Sequence, residues 1–326
     1  MEPTLFFPLL APPAGCAACR DPRLRPLHLY PVNHNKPRVT PQLNLALYGC
    51  GRCGLAFSHP SPTEVELDAY YGSQGQGWDR RIATDAAKLA RKVARKRISN
   101  RRDYGLLAAN ASLPGSTGRR ALDFGCGIGA WLDVLAEDGW KTAGIEPGVT
   151  AAAAAGERHR ILTEVPAEPT FELVVAHHVL EHLVDPLATL TRLAAATTLD
   201  GLIYLSVPNF ARVADHLDID YVASDKHISS FTPIAVECLF ALAGFELLAH
   251  SNDPAWQELD PRPQALKRLV CIGRRTPREL GLRAEPLGEA IEALLAYGRI
   301  RPQPARPPDP TRRLRRLRRI ARWLLR

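Results

Sequence analysis

Residues 119–147 read RRALDFGCGIGAWLDVLAEDGWKTAGIEP, and the fold follows from this stretch. Residues 121–124 form a short apolar run that predicts a buried strand, with Gly125, Gly127 and Gly129 following as a tight turn. Glycine suits a place where the backbone turns sharply and approaches a ligand closely. Residues 130–138 read as a helix, and residues 141–145 predict a second strand that delivers Glu146 at its carboxyl end. Together these make a βαβ unit. Glu146 lies 21 residues after Gly125, where an acidic side chain can accept hydrogen bonds from two ribose hydroxyls.

The spacing Gly125-x-Gly127-x-x-Ala130 satisfies the dinucleotide fingerprint, which admits NAD or FAD. Asp123, two residues before the first glycine, extends the run to D-F-G-C-G-I-G. That run resembles motif I of class I S-adenosylmethionine-dependent methyltransferases. Three later segments resemble the same family in the same order: FELVVAHHVLEHLVDP at 171–186, GLIYLSVPN at 201–209 and HISSFTPIAVECLFALAGFEL at 227–247. The resemblance covers 121–247. It implies an α/β fold with a Rossmann-like, doubly wound sheet of seven strands, and methyl transfer from S-adenosylmethionine to an oxygen or carbon. It sets Asp123, Gly125, Cys126, Gly127, Gly129, Glu146 and His177 against the cofactor. Of these, Gly125, Gly127 and His177 would act mainly through backbone groups.

Composition bounds the remaining choices. The chain has 326 residues, enough for one large core and a smaller module. Hydrophobic residues at 46% and charged residues at 23% describe a globular chain. The start, MEPTLFFPLLAPPAG, carries Glu2 and no Lys or Arg, and prolines interrupt its apolar run. It reads as a poor secretory signal, so a cytoplasmic location is expected. The formal net charge is +8, but residues 301–326 hold ten Arg against one Asp, which leaves the rest at −1. The basic balance therefore belongs to the tail, which argues against a surface built throughout for nucleic acid.

Cys16-A-A-Cys19 and Cys50-G-R-Cys53 are two C-x-x-C pairs. Each such knuckle brings two thiolates to one cation, and two knuckles complete a tetrahedral Zn2+ site with no open position, hence a structural one. A redox pair or four unrelated thiols explain the duplicated spacing less well. Cys238 and Cys271 read as small buried hydrophobes. Residues 50–74 resemble the zinc-binding N-terminal module that precedes the catalytic domain in some sugar and small-molecule methyltransferases. In those relatives an aromatic ending the module reaches the substrate pocket; Tyr70 and Tyr71 match it, and packing between the units is the alternative role. The expected units are a zinc ribbon over 1–75, a basic helix and linker over 76–118, the Rossmann-like domain over 119–275 and a Pro/Arg-rich tail over 276–326.

Residues 79–104 contain ten Lys or Arg among apolar residues at helical spacing, which predicts a long helix with a solvated charged face. A third strand should precede Phe171, where Glu164 is the candidate partner of the adenine amino group in the resemblance. Residues 171–176 are nearly all apolar, as a central parallel strand should be. That strand ends at His177-His178, and ligands of open α/β sheets sit outside the carboxyl ends of strands. His178 and His182 stand four apart, which on a helix places them on one face. Such a pair could bind a metal, but a third ligand is missing from the local sequence.

Residues 201–207 predict the next strand, which brings Asn209 near the pocket. Residues 210–231 form a polar excursion expected to cover the acceptor. Sugar C-methyltransferases carry a Glu-His pair where this chain has Lys226-His227, preceded by Asp225. A base is needed to remove the acceptor's proton, and neutral His suits that task near pH 7. His182 and His227 are the first candidates and His178 the next; for His182 a structural hydrogen bond is an equal alternative. Residues 245–250 and 265–273 predict the last two strands, at an antiparallel end of the sheet.

The domain order favours a small-molecule or glycan acceptor, with a sugar preferred. Three other classes stay open: an RNA methyltransferase that holds phosphates with the basic helix and tail, a cofactor-binding scaffold without catalysis and, third, a NAD-dependent oxidoreductase. The tail TRRLRRLRRIARWLLR over 311–326 carries an apolar stripe on a basic helix and ends near a Trp. That pattern suits an anionic membrane interface. It would place the protein peripherally at the inner membrane face and fit a lipid-linked acceptor. Docking on the protein's own core, a mostly disordered basic tail and RNA binding are the rival readings of the tail.

Overall fold

The computed structural model describes residues 11–31, 39, 42, 44–70, 85–115, 118–216 and 219–299. Tyr71 and the tail over 311–326 lie outside the described residues. The larger sheet has seven strands: β4 (Arg120–Phe124), β5 (Lys141–Ile145), β6 (Arg160–Leu162), β7 (Phe171–His177), β8 (Thr197–Pro208), β10 (Phe245–His250) and β11 (Arg268–Arg275). Their order is β10-β11-β8-β7-β4-β5-β6. Pairings among β4 to β8 are parallel, and β11 runs antiparallel to both β8 and β10. The sheet is the doubly wound, Rossmann-like one expected. The strand order reverses between β4 and β7, which puts the crevice for a ligand at their carboxyl ends.

Both faces of the sheet are covered. On one face, helix α1 (Ala86–Asn110) and helix α2 (Ala130–Glu137) pack Tyr104, Leu107, Trp131 and Leu135 against Val175, Tyr204 and Ile272. On the other, helix α4 (Pro186–Ala196) and helix α5 (Pro233–Ala243) pack Leu190, Leu193, Leu239 and Phe240 against Leu122, Val174 and Ile203. Between them in sequence, helix α3 (Val149–Gly156) leads into β6. The starts of α4 and α5 are written locally. Asp185 and Thr232 cap their first turns from the side chain, each followed by a proline whose missing N–H costs nothing there.

The N-terminal residues build a smaller antiparallel sheet from β1 (Leu24–Pro31), β2 (Asn44–Cys50) and β3 (Ala56–His59). Its fourth strand, β9 (Ser229–Ser230), belongs to the excursion after β8 and pairs with β3 through Ala56↔Ser230 and Phe57↔Ser229. Helix α6 (Gly288–Arg299) returns to the same sheet, where Ala290 and Ala293 join Tyr30, Leu45, Leu47, Phe210 and Val222 in one buried cluster. The excursion is therefore not a polar cover throughout. It forms short helical turns whose Phe210, Val213, Val222 and Ala223 are buried.

Candidate functional site

The glycine turn is clamped onto the end of β5. The Gly125 and Cys126 amides both donate to the Ile145 carbonyl, at 2.8 and 3.0 Å. Gly125 has φ of 79°, and a Cβ there would stand 2.3 Å from Val179 Cγ2, so no side chain fits. The Glu146 carboxylate accepts from the Gly127 amide at 2.9 Å and from the Gly148 amide at 2.8 Å. Above Gly127 the space is open for 4 Å around an added Cβ. A carboxylate has about four acceptor sites and can serve more than two donors. The turn and Glu146 thus fit the nucleoside half of a nucleotide-like cofactor. Asp123 lies beneath the turn, buried, with Oδ1 lacking a hydrogen-bond partner. Burial, helped by the nearby Glu146, pushes its carboxyl up to about 8. Cys126 is buried beside it, and Gly129 caps the start of α2. Glu164 is exposed just beyond β6.

His177 ends β7 and is anchored by its side chain. Arg268 donates to His177 Nε2 at 3.0 Å and holds the Asp103 carboxylate at 2.7 and 2.8 Å. Burial brings the His177 imidazole down to about 4, so the ring is neutral and accepts. Asp103 sits on α1, where sequence reasoning saw only a solvated charged face. In fact Lys92, Asn100 and Asp103 of that helix are buried. A signal existed, because Asp103 is the only acidic residue of α1.

His178 has φ of 57°, a left-handed backbone that is uncommon outside glycine and here redirects the chain at the sheet edge. Leu180–His182 then forms a single 3-10 turn. The expected shared helix face of His178 and His182 is therefore corrected: these residues occupy a bend and a tight turn, not one α-helix. Glu181 and the long-range partner His227 organise the group instead. His178 Nδ1 donates to Glu181 Oε1 at 2.9 Å. His182 Nδ1 donates to the Lys226 carbonyl at 2.9 Å, and His227 Nδ1 donates to the Tyr221 carbonyl at 2.6 Å. A carbonyl only accepts, so both rings carry a proton on Nδ1, and in the neutral form of either ring the lone pair sits on Nε2. The two rings meet edge to face, with centroids 5.0 Å apart. Burial brings His227 down to about 4, against the pull of Glu181. Burial alone would raise the Glu181 carboxyl, but the His178 hydrogen bond and the three surrounding imidazoles outweigh it and bring it down to about 2.

Other expected residues fall around this group. The Lys226 ammonium lies over the Tyr70 ring, 5.5 Å from its centroid. Asp225 is buried and accepts from the Val39 amide at 2.8 Å, a structural tie to the N-terminal unit. Asn209 is buried and donates to Asn252 and to the Leu266 carbonyl, which ties the end of β8 to the segments that follow β10 and precede β11.

The two cysteine knuckles meet as their spacing predicted. Cys16 Sγ lies 3.7 Å from Cys53 Sγ, and Cys19 Sγ lies 3.5 Å from Cys50 Sγ. All four sulfurs stand within 4.8 Å of one another. A tetrahedral ion with bonds of about 2.3 Å needs sulfur separations of roughly 3.8 Å, so the set fits one. Gly54 completes the second knuckle with φ of 74°; a Cβ there would reach 2.6 Å from the Pro286 carbonyl oxygen.

Residues 90–250 match a family model described as a methyltransferase domain. A ubiquinone biosynthesis O-methyltransferase of Rhodopseudomonas palustris (strain HaA2) is 29% identical over 164 residues, 46% of this chain and 64% of that protein. One with the same description from Bradyrhizobium diazoefficiens is 32% identical over 103 residues, 28% of this chain and 41% of its own. The chain thus spans less than two thirds of the length of these curated relatives. Among solved structures, magnesium protoporphyrin IX methyltransferase of Synechocystis PCC 6803 is 16% identical, with a TM-score of 0.47 over 66% of this chain and 100% of that one. Residues 90–250 thus match a methyltransferase domain, and the strand order there is the doubly wound, Rossmann-like one, with its glycine turn facing Glu146.

Proposed function

We propose that this protein methylates an oxygen of a small-molecule acceptor with S-adenosylmethionine. The observation that carries the reading is the sharing of one sheet edge by two groups. The glycine turn and Glu146 lie at the ends of β4 and β5, while His178, Glu181, His182 and His227 gather beyond β7. When bound, S-adenosylmethionine supplies an electrophilic sulfonium methyl. Glu146 would accept the ribose hydroxyls, and the turn's backbone would approach the nucleoside closely. His182 and His227 each present an Nε2 lone pair able to take the acceptor's proton, and their backbone carbonyl partners hold the rings in that tautomer. Much of the remaining rate would come from holding methyl and acceptor in line.

Oxygen is preferred because the relatives are O-methyltransferases. A sugar hydroxyl presents the same chemistry as other small hydroxyl acceptors, so both classes belong in the test. RNA is disfavoured on the described residues, since Arg97 and Arg101 of the basic helix both pair with Glu137 and Lys92 is buried. The cysteine tetrad would hold one structural Zn2+, which would join the knuckles at residues 16–19 and 50–53. No described helix is long and apolar enough to cross a membrane. The membrane role of 311–326 remains a proposal on sequence alone, tested by whether liposome binding requires anionic lipid and those residues.

The test is mass spectrometry of purified protein with S-adenosylmethionine and panels of phenolic, aliphatic and sugar hydroxyl acceptors. A gain of one methyl group, lost in Glu146→Ala together with S-adenosylhomocysteine binding, is the expected result. Tight NAD binding without S-adenosylhomocysteine binding would overturn the reading.

A further inference from the structure

Strand β1 is the outer strand of the smaller sheet, and its pairing with β2 shifts register between Pro26 and His28. Successive side chains of a regular strand point to opposite faces, and a bulge at a sheet edge re-aims one of them. Here the consecutive residues Leu27 and His28 line one cleft together with Arg25. The facing wall is helix α6, which contributes Ile291, Leu294, Leu295 and Tyr297. The cleft has a volume of about 320 Å³. We propose that it binds a small amphipathic carboxylate, with the alkyl chain against the apolar wall of α6 and the carboxylate on Arg25.

The chemistry of the walls selects this ligand. A mostly apolar hollow with a few polar groups is the usual form of a small-molecule site. Leu27, Ile291, Leu294 and Leu295 form the apolar part. Leu295 is 53% exposed, and an alkyl chain that removed it from water would bind favourably. The polar part is unsatisfied: among the described residues, Arg25 and Tyr297 have no hydrogen-bond or ion-pair partner. His28 stacks on Tyr30 and likewise lacks a hydrogen-bond partner among the described residues. Burial holds the His28 imidazole below its ordinary value, so near pH 7 the ring is neutral and offers one N–H. The single cation of the cleft is therefore Arg25, whose planar fork matches a carboxylate with two parallel hydrogen bonds. One guanidinium with two neutral donors suits a monoanion better than a doubly charged phosphate. Size sets the chain length. At about 30 Å³ per water-sized group, 320 Å³ takes about ten non-hydrogen atoms, and octanoate is of that size.

The lining comes from β1 and α6 alone, so this cleft is separate from the glycine turn and Glu146 at the ends of β4 and β5. Ala290 and Ala293 of the same helix pack with Phe210, Val213 and Val222 of the excursion after β8. An occupant would thus add apolar contact to the helix that supports the excursion. Binding here needs no methyl transfer, and its failure leaves that reading untouched.

The experiment is calorimetric titration of the full chain near pH 7 with octanoate and, separately, with 1-octanol. Saturable uptake of one octanoate per chain is expected. 1-Octanol should bind at least about tenfold more weakly, the factor that loss of a charge-assisted hydrogen bond brings. Arg25→Gln should weaken octanoate by a similar factor and leave 1-octanol unchanged, whereas Leu295→Glu should weaken both. An unchanged circular dichroism spectrum and thermal midpoint verify the fold of each variant. Equal binding of 1-octanol and octanoate by the wild-type protein would overturn the carboxylate class, and undiminished uptake in both variants would overturn the site. No saturable uptake by the wild-type protein would overturn it as well. Sedimentation and cross-linking of that sample would then tell whether a second copy or residues 311–326 cover the cleft instead.

Discussion

The Arg268 guanidinium, at the start of β11, grips the Asp103 carboxylate of α1 through two hydrogen bonds of 2.7 and 2.8 Å, across 165 residues of sequence. Asp103 is 1% exposed, and the pair also seats His177. The long basic helix is thus pinned to the edge of the sheet where cofactor and acceptor would meet.

Asp103→Ala should therefore destabilise the protein by about 3–5 kcal/mol, because it leaves a buried guanidinium without its counter-ion. Burial pushes the Asp103 carboxyl up, but the two Arg268 hydrogen bonds and the guanidinium charge outweigh this and hold it well below the usual carboxylate range. A depressed carboxyl contributes stability above its unfolded pKa and loses it as pH falls through the folded value. Urea denaturation near pH 7 and again near pH 3 measures both effects. A loss under about 1 kcal/mol at neutral pH would mean that water compensates Arg268.

Asp123 should show the opposite sign. Burial raises its carboxyl to about 8, so between the unfolded value near 3.8 and that figure the folded state holds more protons. Stability from this group is then present at low pH and declines as pH rises across the window. In cofactor-free protein, Asp123→Asn should gain stability relative to wild type between pH 5 and pH 8.5, on the order of a few kcal/mol. Parallel urea midpoints at the two pH values decide it; a constant difference would show that Asp123 is ionised in the folded protein.

His182→Ala and His227→Ala should each lower kcat by about 10²–10⁴-fold, while S-adenosylhomocysteine affinity changes little. The same measurement on His178→Ala separates a positioning role, expected to cost less. Normal turnover in both His182→Ala and His227→Ala would move the proton-accepting function elsewhere, with Tyr70 the next group to examine.

Loss of the cysteine tetrad should reach the acceptor edge. β3 pairs with β9, whose first residue lies two positions after His227. Cys53→Ser, at a 0% exposed position, should abolish bound zinc and lower turnover more than it weakens S-adenosylhomocysteine binding. Elemental analysis and calorimetry on the same sample test this. Full turnover in a zinc-free variant would disconnect the two units.

Local sequence determined the parts whose chemistry is local. The glycine turn, the apolar central strand β7, Glu146 at the end of β5 and the two cysteine knuckles each lie within a few residues of the feature that dictates them. Turn geometry, strand burial and caps depend on neighbours along the chain. The tertiary structure decided what depends on distant partners. It buried Asp103 against Arg268 on a helix that reads as solvated, because a charge run does not reveal which face meets the sheet. It turned residues 180–182 into a 3-10 turn rather than a helix, after a His178 whose left-handed backbone no local pattern announces. It also brought His227 to Glu181 and His182, because β9 completes a sheet begun more than two hundred residues earlier. Strand pairing over such separations is set by packing of the whole core, and no local pattern encodes it.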